Sequence, residues 1–201
     1  GNKNWQYNIS GEFLNIVTGN EGYIYTCTKK GYIYAFNPDG KEKWIRKVDN
    51  KLDSQLILHN NLLYAASGNF LYALNKKGQI EWKKYMDGDV RFFKKGNNDN
   101  EDILYVANGE KREDKFMTAI NRKGDKLWQY TLIQFPTDVT GDENLAYITS
   151  ESGTLYALNN KIEGNSVFNE KKLGRDKYQI IKKFEDKASI KGPSLAPDGT
   201  L

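Results

Sequence analysis

The stretch "GYIYAFNPDGKEKW" (residues 31–44) sets an apolar run, a turn and a tryptophan in a fixed order. The same order returns as "FLYALNKKGQIEW" (70–82) and "FMTAINRKGDKLW" (116–128). Each copy keeps Ala, then Asn two residues on, Gly five on and Trp nine on. The matched sets are Ala35, Asn37, Gly40 and Trp44; Ala73, Asn75, Gly78 and Trp82; Ala119, Asn121, Gly124 and Trp128. A fourth copy opens as "TLYALNN" (154–160), then leaves the register with a longer insertion and no Trp. With Ala157 closing the series, the alanines stand 38, 46 and 38 residues apart, a period in the range of propellers and solenoids. Gly1 stands four residues before Trp5, as the other glycines stand before theirs. The first ten residues are therefore expected to belong to a partial repeat.

Upstream of every Ala motif lies another apolar run: "YIYTC" (23–27), "LLYAA" (62–66), "ILYVA" (103–107) and "LAYIT" (145–149). Weaker runs come before those, "EFLNIV" (12–17), "SQLIL" (54–58), "VRFFK" (90–94) and "TDVT" (137–140), and a Trp-led run such as "KWIRKV" (43–48) follows. Each unit is thus predicted to hold four strands. Asn37-Pro38-Asp39-Gly40, with Pro second and Gly fourth, is a tight reversal between antiparallel strands.

The middle strands do not alternate apolar with polar. "LLYAA" and "FLYAL" are apolar on both faces, so each small sheet must be covered on both sides. Sheets stacked face to face around an axis meet that demand. The predicted fold is all-β, a β-propeller of four-stranded antiparallel blades. About four blades are expected here, over residues 11–48, 52–87, 88–132 and 135–186, with partial blades at 1–10 and 188–201. They are expected to belong to a ring of about seven or eight. Each Trp, beside a Gly-bearing turn, is predicted to wedge between blades, burying on the order of 200 Å². Trp82→Ala should then cost roughly 3–5 kcal/mol.

Composition agrees with a folded domain: 38% of the 201 residues are hydrophobic and 28% charged. The net charge of +4 is spread without a basic block, which gives nucleic-acid binding no support. No apolar run reaches the roughly 18–20 residues of a membrane span.

The Ala-x-Asn-x-x-Gly-x-x-x-Trp pattern, at one spacing in three copies, resembles the tryptophan-docking repeat of the pyrroloquinoline quinone (PQQ) family. The resemblance implies that Ala35, Gly40, Trp44, Ala73, Gly78, Trp82, Ala119, Gly124 and Trp128 dock blades against one another. Quinoprotein dehydrogenases of that family oxidise alcohols or sugars with PQQ and calcium held on the axis of the ring. A larger group shares the blades without the cofactor and includes the outer-membrane assembly lipoprotein and exported sensor or surface domains. For the enzyme the resemblance implies adjacent cysteines in a disulfide against the quinone, an acidic base beside calcium, and a stacking Trp. Here Cys27 stands alone and all four Trp fall in the docking slot. The expectation is a non-catalytic scaffold binding a protein, peptide or surface ligand. PQQ and calcium belong only to the enzyme alternative, and the resemblance leans toward an exported or cell-surface setting.

Cys27 follows Tyr25 by two, as Ala66, Ala107 and Thr149 follow Tyr64, Tyr105 and Tyr147, so its slot is predicted to be small and buried. His59, the only histidine, is expected in a solvated turn; without a second histidine, a His-rich metal site is excluded. "DVTGDENL" (138–145) places Asp138, Thr140, Asp142 and Asn144 at the alternate positions of a calcium loop. Glu143 and Ala146 depart from that pattern where Gly and a closing carboxylate belong. Asp138, Asp142 and Asn144 are the candidate metal ligands, and they would make the chain a calcium-stabilised sensor or adhesion propeller. "GNNDNED" (96–102) is a second acidic hairpin, and "GEKREDKF" (109–116) a lengthened, charged connection. The insertion at 161–176 is the largest departure from the repeat and the first place to look for something added. Arg91 and Asp138, at or near innermost strands, are expected close to the central channel. No Gly-rich phosphate loop, Gly-x-Ser-x-Gly elbow or Cys-x-x-Cys pair occurs.

Overall fold

The computed structural model describes residues 1–49, 51–96, 103–110, 114–141 and 144–160 with their side chains, and strands 166–169 and 180–185 by their backbone. The chain divides into two compact units, residues 1–91 and 92–201. In the first, β1 (Phe13–Thr18), β2 (Ile24–Thr28), β3 (Tyr32–Phe36) and β4 (Glu42–Lys47) form one sheet. β5 (Ile57–His59), β6 (Leu62–Ser67), β7 (Phe70–Leu74) and β8 (Ile80–Tyr85) form the next. In the second unit, a sheet opened by β9 (Val90–Lys95) continues through β10 (Leu104–Gly109), β11 (Lys115–Ile120) and β12 (Lys126–Leu132). The last sheet runs β13 (Pro136–Gly141), β14 (Leu145–Ser150) and β15 (Thr154–Asn159). Between β15 and its fourth strand, β16 (Ser166–Asn169) crosses to the previous sheet and pairs parallel with β12; β17 (Ile180–Glu185) then completes its own. In each sheet of four, spatial order follows chain order; the connections are hairpins except that between β15 and β17, which carries β16.

The doubly apolar strands are explained within each unit. In the first, Tyr25, Cys27, Ile33 and Ala35 of one sheet pack with Leu63, Ala65, Tyr72 and Leu74 of the next, and Val48, Leu52 and Leu56 from the connection join them. Every residue of β6 is buried. In the second unit Tyr105, Met117, Trp128 and Tyr130 share a core with Val139, Ile148, Tyr156 and Leu158. Burying one large apolar side chain contributes about 1.5–3 kcal/mol, so packing within each shared core stabilises both of its sheets.

The repeated motif has a local cause at each position. Gly40, Gly78 and Gly124 have φ of +83°, +74° and +77°, a left-handed conformation that glycine adopts without steric cost. Their N–H groups donate to the carbonyls of Asn37, Asn75 and Asn121, closing the turn. The asparagine recurs because its side chain organises the loop: Asn75 Oδ1 accepts from the N–H of Lys77 and Gln79, and Asn121 Oδ1 from those of Lys123 and Asp125. A shift in register follows Ala35, Ala73 and Ala119 alike, a bulge that re-aims the strand into the turn.

Candidate functional site

The alanine of each motif lies opposite both aromatic neighbours. Ala35 pairs with Tyr25 and Trp44, Ala73 with Tyr64 and Trp82, and Ala119 with Tyr105 and Trp128. Over the methyl the two rings meet, their centroids 6.0, 5.8 and 6.0 Å apart in the three sheets. A larger residue in the middle strand would hold those rings apart. Sequence reasoning used the tyrosines only as position markers; their return in every second-strand run was the signal for a Tyr–Ala–Trp row.

In the first unit two indoles rest on glycine turns. A Cβ on Gly40 would come to 2.5 Å of the Trp5 ring, and one on Gly78 to 2.7 Å of the Trp44 ring. Trp5 Nε1 donates to the Pro38 carbonyl at 3.1 Å, Trp44 Nε1 to that of Lys76 at 2.9 Å, and Arg46 Nε to that of Gly78 at 2.8 Å. In the second unit the fourth copy lacks the glycine, and Trp128 Nε1 donates to Asn160 Oδ1 at 3.2 Å instead. Asn160 stands three residues after Ala157, as Lys76 and Pro38 stand after Ala73 and Ala35. Its amide also donates to Tyr105 Oη at 2.6 Å. Trp82 is half-buried against Tyr64.

Cys27 is fully buried, and burial pushes its thiol up to about 11. Its neighbourhood includes an amide bridge: Asn15 Nδ2 donates to the Leu56 carbonyl at 3.0 Å, and the Leu56 N–H to Asn15 Oδ1 at 2.8 Å. The side chain of β1 thereby mimics a strand neighbour for the connection into the second sheet.

His59 corrects the expectation of a solvated turn residue, since it is buried. Asn60 and Asn61, at φ +45° and +64°, form the tip themselves. That leaves His59 as the last paired residue of β5, opposite Leu62, with Asn60 Nδ2 3.4 Å from its Nε2.

Asp138 lies on β13, where its carboxylate pairs with Lys94 of β9 and accepts from the Val139 N–H at 2.8 Å. Asn144 is exposed, and its carbonyl accepts from the Asn160 N–H at 2.7 Å. Asp142 lies outside the described residues, as do 97–102 of the second acidic hairpin, 111–113 of the lengthened connection, and most of the 161–176 insertion. Arg91 is exposed on β9. Among the described residues no three His, Cys, Asp or Glu side chains converge as a metal site would require.

The groups that the family resemblance implies for a quinone can be compared with the described residues. The indoles of Trp5, Trp44 and Trp128 are committed to a turn or an amide through their N–H groups, and Trp82 leans on Tyr64. Cys27 lies in a core with no partner thiol in the chain.

Among the described residues, the fourth strands β4 and β8 have no further strand on their outer side. In β4 and β8 burial alternates, and Ile45 (45% exposed), Ile80 and Tyr85 (63%) face solvent; Tyr32 of β3, opposite Lys47, is exposed too. Cations accompany these apolar groups: Lys47 Nζ sits 4.8 Å from the Tyr32 ring centroid and Lys83 Nζ 4.0 Å from that of Phe70. Asp49 joins Lys83 in an ion pair and accepts from Tyr72 Oη at 3.1 Å. Those two donors hold its carboxyl below the usual range, and Asp49 in turn raises Lys83.

A family profile described as outer membrane protein assembly factor BamB matches residues 1–151. A comparison with curated proteins finds no match. Among solved structures, the computationally designed Ika8 protein superposes with a TM-score of 0.70 at 10% identity, covering 92% of this chain and 53% of that one. The Pan2 WD40 domain of Neurospora crassa gives 0.60 at 14%, over 88% and 50%. Sqt1 of Saccharomyces cerevisiae gives 0.58 at 14%, over 77% and 47%. This chain spans about half the length of each. At such low identity the likeness establishes the architecture: the fold is a β-propeller, with about four blades here.

Proposed function

The chain belongs to the PQQ-like repeat family described as outer membrane protein assembly factor BamB, and from that we propose that it is a rigid, non-catalytic scaffold that binds a protein or peptide. One observation carries the reading: large apolar side chains stand exposed, with cations near them, at Ile45, Ile80 and Tyr85 on the outer strands and at Tyr32 on β3. Aromatic and aliphatic anchors with a charged rim are what a protein-binding surface uses. Hairpins give the surface its rigidity, so little conformational freedom is lost on binding. An exported, envelope-facing setting accompanies the reading, in keeping with the family's description.

The test is selection of peptides from a display library on the immobilised chain. Selected peptides should bind saturably and lose about tenfold or more in affinity against an Ile45→Glu, Tyr85→Glu double variant. A library that yields no binder would overturn the reading. So would saturable, calcium-dependent uptake of PQQ followed by quinone absorbance, which would turn attention to alcohols and sugars as substrates.

A further inference from the structure

β4 and β12 are the fourth strands of their sheets, and Trp44–Lys47 correspond by the repeat to Trp128–Thr131. On β12 that stretch carries an added strand: Ser166, Val167, Phe168 and Asn169 pair in parallel with Trp128, Gln129, Tyr130 and Thr131. On β4 no strand pairs with the outer side among the described residues. The side chains differ accordingly. Gln129 and Thr131 are buried, whereas Ile45 and Lys47 at the equivalent positions are exposed.

An end strand leaves alternate N–H and C=O groups facing outward, a ready template for another chain. The charge beside this template has one dominant sign. Lys43, Arg46 and Lys47 lie on β4 with a single carboxylate, Glu42, which accepts from Tyr7 Oη. Lysines on an edge discourage self-pairing of like strands, and the same charges favour a strand that brings carboxylates.

We propose that the outer edge of β4, over Trp44–Lys47, takes an extended acidic peptide as an added parallel strand, in the manner of β16 on β12. This rests on the binding-module reading above and specifies its partner. Main-chain hydrogen bonds would supply the affinity, and the side chains that flank the edge, Ile45 and Lys47 with Tyr32 and Lys43, the selectivity.

The probe is a synthetic peptide of residues 163–170, EGNSVFNE, which carries the β16 sequence between two glutamates. It is added to the intact chain, with binding followed by NMR and backbone amide hydrogen exchange. Saturable binding with slowed exchange at residues 44–47 is expected. Affinity should fall about tenfold for a Lys43→Glu, Lys47→Glu variant, and equally when both peptide glutamates are replaced by lysine. These exposed substitutions leave the core untouched, so they test the edge even where Ile45→Pro, which removes a ladder N–H, fails to fold. Absence of binding, slowed exchange confined to β8 or to residues 128–131, or indifference to charge reversal would each overturn the assignment. Library peptides that still required Ile45 and Tyr85 would then leave the binding-module reading standing and remove only the edge.

Discussion

Trp44 and Trp128 do the same job with different acceptors. In the first unit the indole N–H of Trp44 meets a backbone carbonyl, that of Lys76, on a turn whose glycine clears room for the ring. In the second unit the glycine is gone and the N–H of Trp128 meets a side-chain amide, that of Asn160. A carbonyl on a turn is indifferent to the side chain that bears it, so Pro38 and Lys76 fill the same position freely. An amide acceptor makes the residue type matter. The repeat therefore loses its letters in the fourth copy while the contact is kept, and this contact is more deeply buried: Trp128 is 1% exposed, whereas Trp44 is only half-buried.

The sharpest way to break the comparison is to remove the rings. Trp128→Ala should cost about 3–5 kcal/mol in denaturant unfolding, and Trp44→Ala about half as much, because less of its ring leaves water. Equal losses would show that depth of burial does not separate the two seats.

Removing the acceptors comes next. Asn160→Ala leaves the Trp128 N–H and Tyr105 Oη without their common partner and should cost about 2–3 kcal/mol, while Lys76→Ala keeps its carbonyl and should stay within about 0.5 kcal/mol. A costly Lys76→Ala would mean that its side chain, and not its backbone, supports Trp44.

The smallest effect concerns pH. Cys27 occupies in the first unit the slot held by Ala107 in the second. Its folded pKa of about 11 lies above the ordinary 9.0 of a thiol. A raised value means that the contribution is whole below 9 and is lost as pH climbs toward 11, amounting to about 1.4 kcal/mol by pH 10. Cys27→Ala should flatten the fall in Tm between pH 9 and 11 relative to the parent. An unchanged slope would place the thiol in contact with water in the folded state.

Sequence reasoning reached the strands because apolar runs on both faces have few physical solutions, and it reached the turns because Asn and Gly recur where the backbone demands them. It misplaced His59, since a lone polar residue beside two asparagines reads as a turn tip; the left-handed pair at Asn60 and Asn61 formed the tip without it. It passed over Asn15 and Asn160, whose partners lie 41 and 32 residues away. A distance of that kind leaves no local pattern. The crossing of β16 to β12 was hidden for the same reason, because parallel pairing across sheets is a contact between distant segments.

By itself the sequence determined the repeat, the four strands of each repeat, the glycine turns and the small slot at Cys27, because each follows from sterics and hydrophobicity within a few residues. Only the tertiary structure decided which acceptor the indole N–H groups of Trp5, Trp44 and Trp128 meet, that His59 is buried, and that the outer edge of β12 carries an added strand while that of β4 pairs with none among the described residues. Those depend on which distant groups the packed sheets bring within hydrogen-bonding reach, and short-range pattern carries no record of that.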